Sequence, residues 1–229
     1  MLTDVVTGTF EIHVFVTPLD PTPAIAQAFS AACRGDAETP HMKGLLLNLD
    51  YEEQGFVGVL QSSRYVRGTL AEARAAADED ARLLTERGFE VVRRKVEAVV
   101  TNDGVPQTAA DAQRSPADRY FEFHLLVDGK NGPISNEDVV SLRGIAHAMR
   151  DQLGVPVPLS YNALKPAQRF LNLRARGVGI EQAMVNVREL ESRINATGVL
   201  GVRKIISEYI CSDDNRALDN GWLEPRPRS

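Results

Sequence analysis

The segment Phe10-Glu11-Ile12-His13-Val14-Phe15-Val16 returns 111 residues later as Phe121-Glu122-Phe123-His124-Leu125-Leu126-Val127. Phe, Glu, His and the closing Val keep their places, and Glu97 and Glu208, late in each half, keep the same spacing. Arg67-Gly68 and Arg176-Gly177 each stand just before the second helical pattern of their half. Matches at the start, middle and end of two half-chains point to one fold used twice. The 229 residues give each half enough chain for a core, and small cores of that size gain by packing together.

Each half reads as strand, helix, strand, strand, helix, strand. Thr9 to Val16 alternates apolar and polar residues, the period of a half-buried strand. Pro18, Pro21 and Pro23 end it and lead into a helix over 24–33. Extended runs follow over 43–51 and 55–67, around a turn at Glu52-Glu53-Gln54-Gly55. A helix over 70–87 has Thr69 as N-cap, Glu72 completing a capping box and Gly88 closing it. A strand over 90–101 ends the half. The second half gives a strand over 120–127, a helix over 136–153 closed by Gly154, strands over 158–163 and 169–176, a helix over 180–196 and a strand over 202–212. The expected fold class is α+β: a tandem duplication of a ferredoxin-like βαββαβ unit, with antiparallel sheets, helices on one face and an approximate two-fold relation. The first repeat is placed at 1–103, a linker loop at 104–118, the second repeat at 119–214 and a polar C-terminal tail at 215–229, in which Trp222 is expected to pack back on the body.

Net charge is −5 and the pI about 5.5, which excludes the broad basic surface that non-specific DNA binding needs. No apolar run approaches a membrane span, and Met1 to Asp20 lacks the pattern of a signal peptide. Cys33 and Cys211 lie in opposite halves without metal-type spacing. The expectation is a cytoplasmic protein with free thiols, associated with no membrane. The oligomeric state is not legible.

The duplication selects the site candidates. Residues two apart on a strand share a face, so Phe10, Ile12, Val14 and Val16 point one way and Glu11, His13 and Phe15 the other; Glu122 and His124 repeat the division. If the first and last strands of a half lie side by side, Arg93, Lys95 and Glu97 join Glu11 and His13, and Lys204 and Glu208 join Glu122 and His124. Two such faces turned toward each other would form a cleft between the repeats. The leading expectation is binding there of an anionic small molecule of nucleotide or phosphoester type, with Glu11, Glu122, Arg67, Arg93, Arg176 and Lys204 as ligand-binding residues.

An enzyme is the alternative. His13 and His124 would then act as catalytic base and acid in phosphoester cleavage, or His13, Glu97, His124 and Glu208 would hold a divalent metal. The paired histidines resemble two-histidine phosphoesterases in outline, but His13-Val14-Phe15 and His124-Leu125-Leu126 lack that family's hydroxyl two residues after each histidine. A His on an early strand and a Glu on a late one, duplicated, is similar to the vicinal-oxygen-chelate enzymes, whose modules lack the second helix expected here. A non-catalytic protein-interaction module is a third class. Against all of these, Glu-x-His facing Arg and Lys across strands also satisfies a half-exposed sheet through ordinary cross-strand pairs. Gly177-Val178-Gly179 reads as a tight turn rather than an anion cradle.

Overall fold

The computed structural model describes residues 5–35, 39–51, 54–154 and 156–223. Their order is β1 (Thr7–Val16), α1 (Pro23–Arg34), β2 (Lys43–Asp50), β3 (Phe56–Thr69), α2 (Leu70–Glu86), β4 (Val91–Val99), α3 (Ala109–Arg114), β5 (Tyr120–Gly129), α4 (Asn136–Leu153), β6 (Leu159–Asn162), β7 (Arg169–Arg176), α5 (Ile180–Ala196), β8 (Leu200–Asp213) and a 3-10 turn at Arg216–Asp219. The class is mixed α+β, with five α-helices and eight strands among the described residues. Pairing is antiparallel between β1 and β3, β1 and β4, β4 and β8, β5 and β7, and β6 and β7. With the short α3 set aside, the order β-α-β-β-α-β occurs twice. Part of the turn expected at Glu52-Glu53 and the terminal Pro225-Arg226-Pro227-Arg228 lie outside the described residues. No described helix is long and apolar enough to cross a membrane.

Local chemistry explains the helix boundaries. Thr69 and Glu72 form a reciprocal capping box at the start of α2, and Ser135 and Asp138 do so for α4. Gly154 ends α4 in the left-handed conformation, at φ 70°, which a β-carbon would disfavour. The segment read as a linker contains α3, whose signal is a third capping box, Thr108 with Asp111. α5 has no side-chain cap. Its first N–H groups, on Ile180 and Glu181, donate to the carbonyls of Pro106 and Gln107. A β-carbon on Gly179 would lie 2.4 Å from the Gln107 carbonyl oxygen, so only glycine admits this approach. Those donors are therefore already used, and the glycine pair is a packing device.

The chain divides into two compact units. One comprises Met1–Leu47, Val57–Val105 and Glu208–Arg216; the other comprises Asn48–Phe56, Pro106–Ser207 and Ala217–Ser229. The division falls within β2, after the first residue of β3, and within β8. In the first unit Val14, Val16 and Leu60 pack against Phe29 and Cys33 of α1 and Ala81 and Leu84 of α2. This apolar cluster sets the register. A one-residue slip of β1 would bring Glu11 and His13 under the helices. In the second unit Phe121, Phe123, Leu125 and Val127 are buried, as are Leu142 and Met149 of α4 and Val187 and Leu190 of α5. Both cysteines are buried thiols outside any disulfide.

The second unit also contains the expected anchoring of Trp222, buried with its indole N–H donating to the Leu159 carbonyl at 3.3 Å. Three residues earlier, the buried Asp219 accepts from Arg174 at 2.6 Å. Arg174 also donates through Nε to Glu122 at 3.1 Å and lies 4.3 Å from the Tyr120 ring centroid. Stripping one member from a buried ion pair leaves uncompensated charge. Arg174→Ala is therefore expected to cost about 3–5 kcal/mol, enough to lower the urea midpoint clearly when followed by the fluorescence of the single tryptophan.

Candidate functional site

β1 pairs with both β3 and β4, and the registers bring their polar residues onto one face. Across β1 and β4, Glu11 opposes Glu97, His13 opposes Lys95 and Phe15 opposes Arg93. Across β1 and β3, Thr9 opposes Arg67 and Glu11 opposes Tyr65. This is the face away from α1 and α2. Two carboxylates directly opposite each other repel, so the arrangement persists only with cations beside them. His13 Nε2 lies 3.3 Å from Glu97 Oε2 and 3.8 Å from Glu11 Oε1. Lys95 Nζ lies 2.7 Å from Glu97 Oε1. Glu11 accepts from Ser63 Oγ at 2.5 Å and from the Tyr65 hydroxyl.

The histidine's protonation follows from this geometry. Nδ1 lies 2.9 Å from the Ser62 carbonyl oxygen, an acceptor, so Nδ1 carries a proton. Nε2 faces carboxylates and carries the other. Burial of the ring lowers its pKa, but the charge and hydrogen bond of Glu97, with the charges of Glu11 and Glu208, outweigh this and raise it to about 9. Burial pushes the Glu97 carboxyl up, and the adjacent Lys95 and His13 more than reverse this, holding it well below the usual carboxylate range. At neutral pH this favours the imidazolium form of His13, a proton donor and a positive charge beside the two carboxylates.

Exposure falls along the face. Arg67 and Tyr65 are exposed, Glu11 is half-buried, and His13, Ser63, Lys95 and Glu97 are buried. Arg67 has no hydrogen-bond or ion-pair partner among the described residues. Arg93 is buried and committed elsewhere. It forks Asp213 at 2.9 and 2.7 Å and lies 5.0 Å from the centroid of the Phe15 ring. Arg64 is likewise held by Asp80.

The equivalent face of the second unit is used differently. Glu122 opposes Arg174, His124 opposes Asn172 and Tyr120 opposes Arg176. Glu122 is neutralised by Arg174. His124 Nδ1 lies 2.6 Å from Asn172 Oδ1, while its Nε2 is 3.9 Å from Glu122. The Asn172 amide in turn donates to Ser160 Oγ at 3.0 Å. Arg176 is exposed and lies 4.3 Å from the Tyr120 ring centroid. Lys204 is exposed.

Of the residues singled out in the sequence, Glu11, His13 and Glu97 are brought together, with one ligand atom from each lying within 4.8 Å of the others. Glu208 is buried in the first unit and contributes its charge to His13. Glu122, His124, Arg176 and Lys204 belong to the second unit. Sequence reasoning missed Tyr65 as a partner of Glu11; its signal is its place two residues before Arg67 on the same face. Ser62, through its carbonyl, and Ser63, through its hydroxyl, fix His13 and Glu11, and no sequence signal singled them out.

The raised pKa of His13 makes stability depend on pH. The folded value of about 9 lies above the unfolded value near 6.5. The contribution, on the order of 3 kcal/mol, is complete below about pH 6.5 and disappears as pH rises through about 9. The groups facing the ring are Glu11, Glu97, Lys95 and Glu208, with Gln61 and the Ser62 carbonyl. Urea midpoints are expected to fall between pH 6.5 and 9 in the native chain, and this slope is expected to flatten in His13→Gln. An equal slope in both would show that His13 does not carry it.

No family model and no curated protein matches the chain. Among solved structures, a "putative monooxygenase" of Fusobacterium nucleatum is 10% identical with a TM-score of 0.37, the match covering 97% of this chain and 99% of that one. A "putative monooxygenase" of Lactobacillus acidophilus is 12% identical with a TM-score of 0.29, over 90% and 95% of the two chains. A protein described as a "putative chlorite dismutase" is 12% identical with a TM-score of 0.30, over 89% and 95%. At these scores the likeness carries no argument about fold or activity.

Proposed function

We propose that this is a cytoplasmic protein that binds a small anionic molecule of nucleotide or phosphoester type on the polar face of its first unit. The observation that carries the reading is Arg67, an exposed guanidinium with no hydrogen-bond or ion-pair partner among the described residues, on the same face as the Glu11–His13–Glu97 cluster. A guanidinium fork suits a phosphate or carboxylate. Next to it the Tyr65 ring, 64% exposed, offers a flat platform for an aromatic base. Glu11, held by hydroxyls, accepts hydrogen bonds from sugar hydroxyl or amino groups. Thr9 and His13, which bracket this stretch of β1, are about 13 Å apart at the ordinary rise of a strand. That length accommodates a mononucleotide. The net charge of the cluster argues for this orientation. Glu11, Glu97 and Glu208 outnumber His13 and Lys95, so the anionic end belongs at Arg67.

The two halves, on this reading, are tandem copies of one ferredoxin-like βαββαβ unit. The repeated element order supports it, and so do the registers: Glu11 faces Tyr65 where Glu122 faces Arg174, and Arg67 occupies the place of Arg176. The second copy has turned its acidic residue into a structural ion pair, while the first has kept a polar face with an unused cation.

A panel of nucleoside mono- and diphosphates is expected to raise the thermal midpoint of the native chain in proportion to ligand concentration. Losing one charge-assisted contact in Arg67→Ala is expected to weaken binding by about 10- to 100-fold, with the melting temperature of the unliganded protein unchanged. Tyr65→Ala is expected to discriminate against aromatic bases while leaving simple phosphate binding intact. A panel that shifts nothing in the native chain, or an Arg67→Ala variant that binds equally well, would overturn the reading.

A further inference from the structure

We infer that Glu11, His13 and Glu97 form a divalent-metal site of one imidazole and two carboxylates. Three features carry this. The first is convergence. His13 Nε2 is 3.3 Å from Glu97 Oε2 and 3.8 Å from Glu11 Oε1, and the three donor atoms lie within 4.8 Å of one another. Two atoms each about 2.1 Å from one ion are at most about 4.2 Å apart. The two distances from His13 already lie inside that limit, and the 4.8 Å bound on the cluster exceeds it by about 0.6 Å, so the cluster closes around a cation by a modest inward shift of the carboxylates.

The second is orientation. Ligating histidines carry a fixed hydrogen bond on the nitrogen that does not meet the metal. Here Nδ1 donates to the Ser62 carbonyl at 2.9 Å, from outside the cluster, and this aims Nε2 between the two carboxylates. Glu97 is oriented in the same manner: Lys95 holds Oε1 at 2.7 Å and leaves Oε2 facing His13. The third is access. Glu11 is half-buried and lies beside the exposed Tyr65, so the cluster is reached from solvent at that end, while His13 and Glu97 sit deeper.

The donor set of one nitrogen and two carboxylate oxygens suits manganese, iron(II), cobalt or zinc rather than calcium, which takes six to eight oxygens. On binding, the Nε2–H proton leaves to solvent and the nitrogen lone pair takes its place on the ion. Glu11 is the residue common to this site and the proposed nucleotide platform. The metal site does not depend on that platform.

The test uses the full chain, stripped with a chelator and titrated with Co2+ alone, read by visible absorption and by calorimetry. One site per chain with micromolar or tighter affinity is expected. Glu11→Gln, a nearly isosteric change at a half-buried position, is expected to weaken it at least 100-fold, and Glu97→Gln likewise. His41→Ala, which removes an exposed imidazole elsewhere, is expected to bind as the native chain does. Absence of saturable binding overturns the inference. So does equal affinity in the native chain and Glu11→Gln, or loss of binding in His41→Ala, which would assign the ion to the surface. Nucleotide binding measured in the presence of chelator separates this outcome from that of the preceding proposal.

Discussion

The carboxylate of Glu97 is buried with Lys95 on one oxygen and His13 on the other, and the first unit is built to make that arrangement tolerable. A charge removed from water costs several kcal/mol unless close partners replace the solvent. The partners arrive only because β1 and β4 pair in a register that sets His13 opposite Lys95 and Glu11 opposite Glu97. The register in turn is imposed from the other side of the sheet, where Val14 and Val16 pack under α1 and α2. Apolar packing on one face thus determines ionic order on the other.

The two units show two solutions to one problem, an acidic residue on the middle of a strand. In the second, Glu122 meets Arg174, which is shared with Asp219 and lies against Tyr120. Glu122 is met by a permanent guanidinium, and His124 is left to an amide partner, Asn172. In the first, the position facing Glu11 holds Tyr65, a neutral residue. The charge that would have come from an arginine comes instead from a histidine that keeps its second proton. A proton is an exchangeable partner where a guanidinium is not. This difference makes the first unit the better place to look for chemistry.

Much of this was legible in the chain. The period-two alternation over 9–16 gave the correct two faces of β1, because strand geometry leaves no freedom in that assignment. Thr69 with Glu72, and the glycines at 88 and 154, fixed helix ends through contacts only a few residues long. The adjacency of β1 and β4 placed Lys95 and Glu97 beside Glu11 and His13. Long-range ionic partners were not legible. Asp213 and Asp214 hold Arg93 and Arg94. Asp219 is a buried counter-ion rather than part of a loose tail. Arg93 is correspondingly unavailable to a ligand. No spacing rule links residues 120 positions apart, and only the folded sheet selects which of many acids each arginine meets. α3 was missed because six residues carry too little periodicity to announce a helix, despite the cap at Thr108.

The division of the chain also has a consequence for its biogenesis. The first unit takes its closing strand segment from Glu208–Arg216 and the second its final turn from Ala217 onward. Arg93 and Arg94 wait for Asp213 and Asp214, and Arg174 for Asp219. Domains ordinarily fold one after another as they leave the ribosome. Here the first unit has no such head start, because the strand segment that completes it, Glu208–Arg216, follows Pro106–Ser207 of the second unit in the chain. A nascent chain therefore holds the β4 side of the sheet open, with Arg93 still to meet Asp213, until the second unit's residues up to Ser207 have been made.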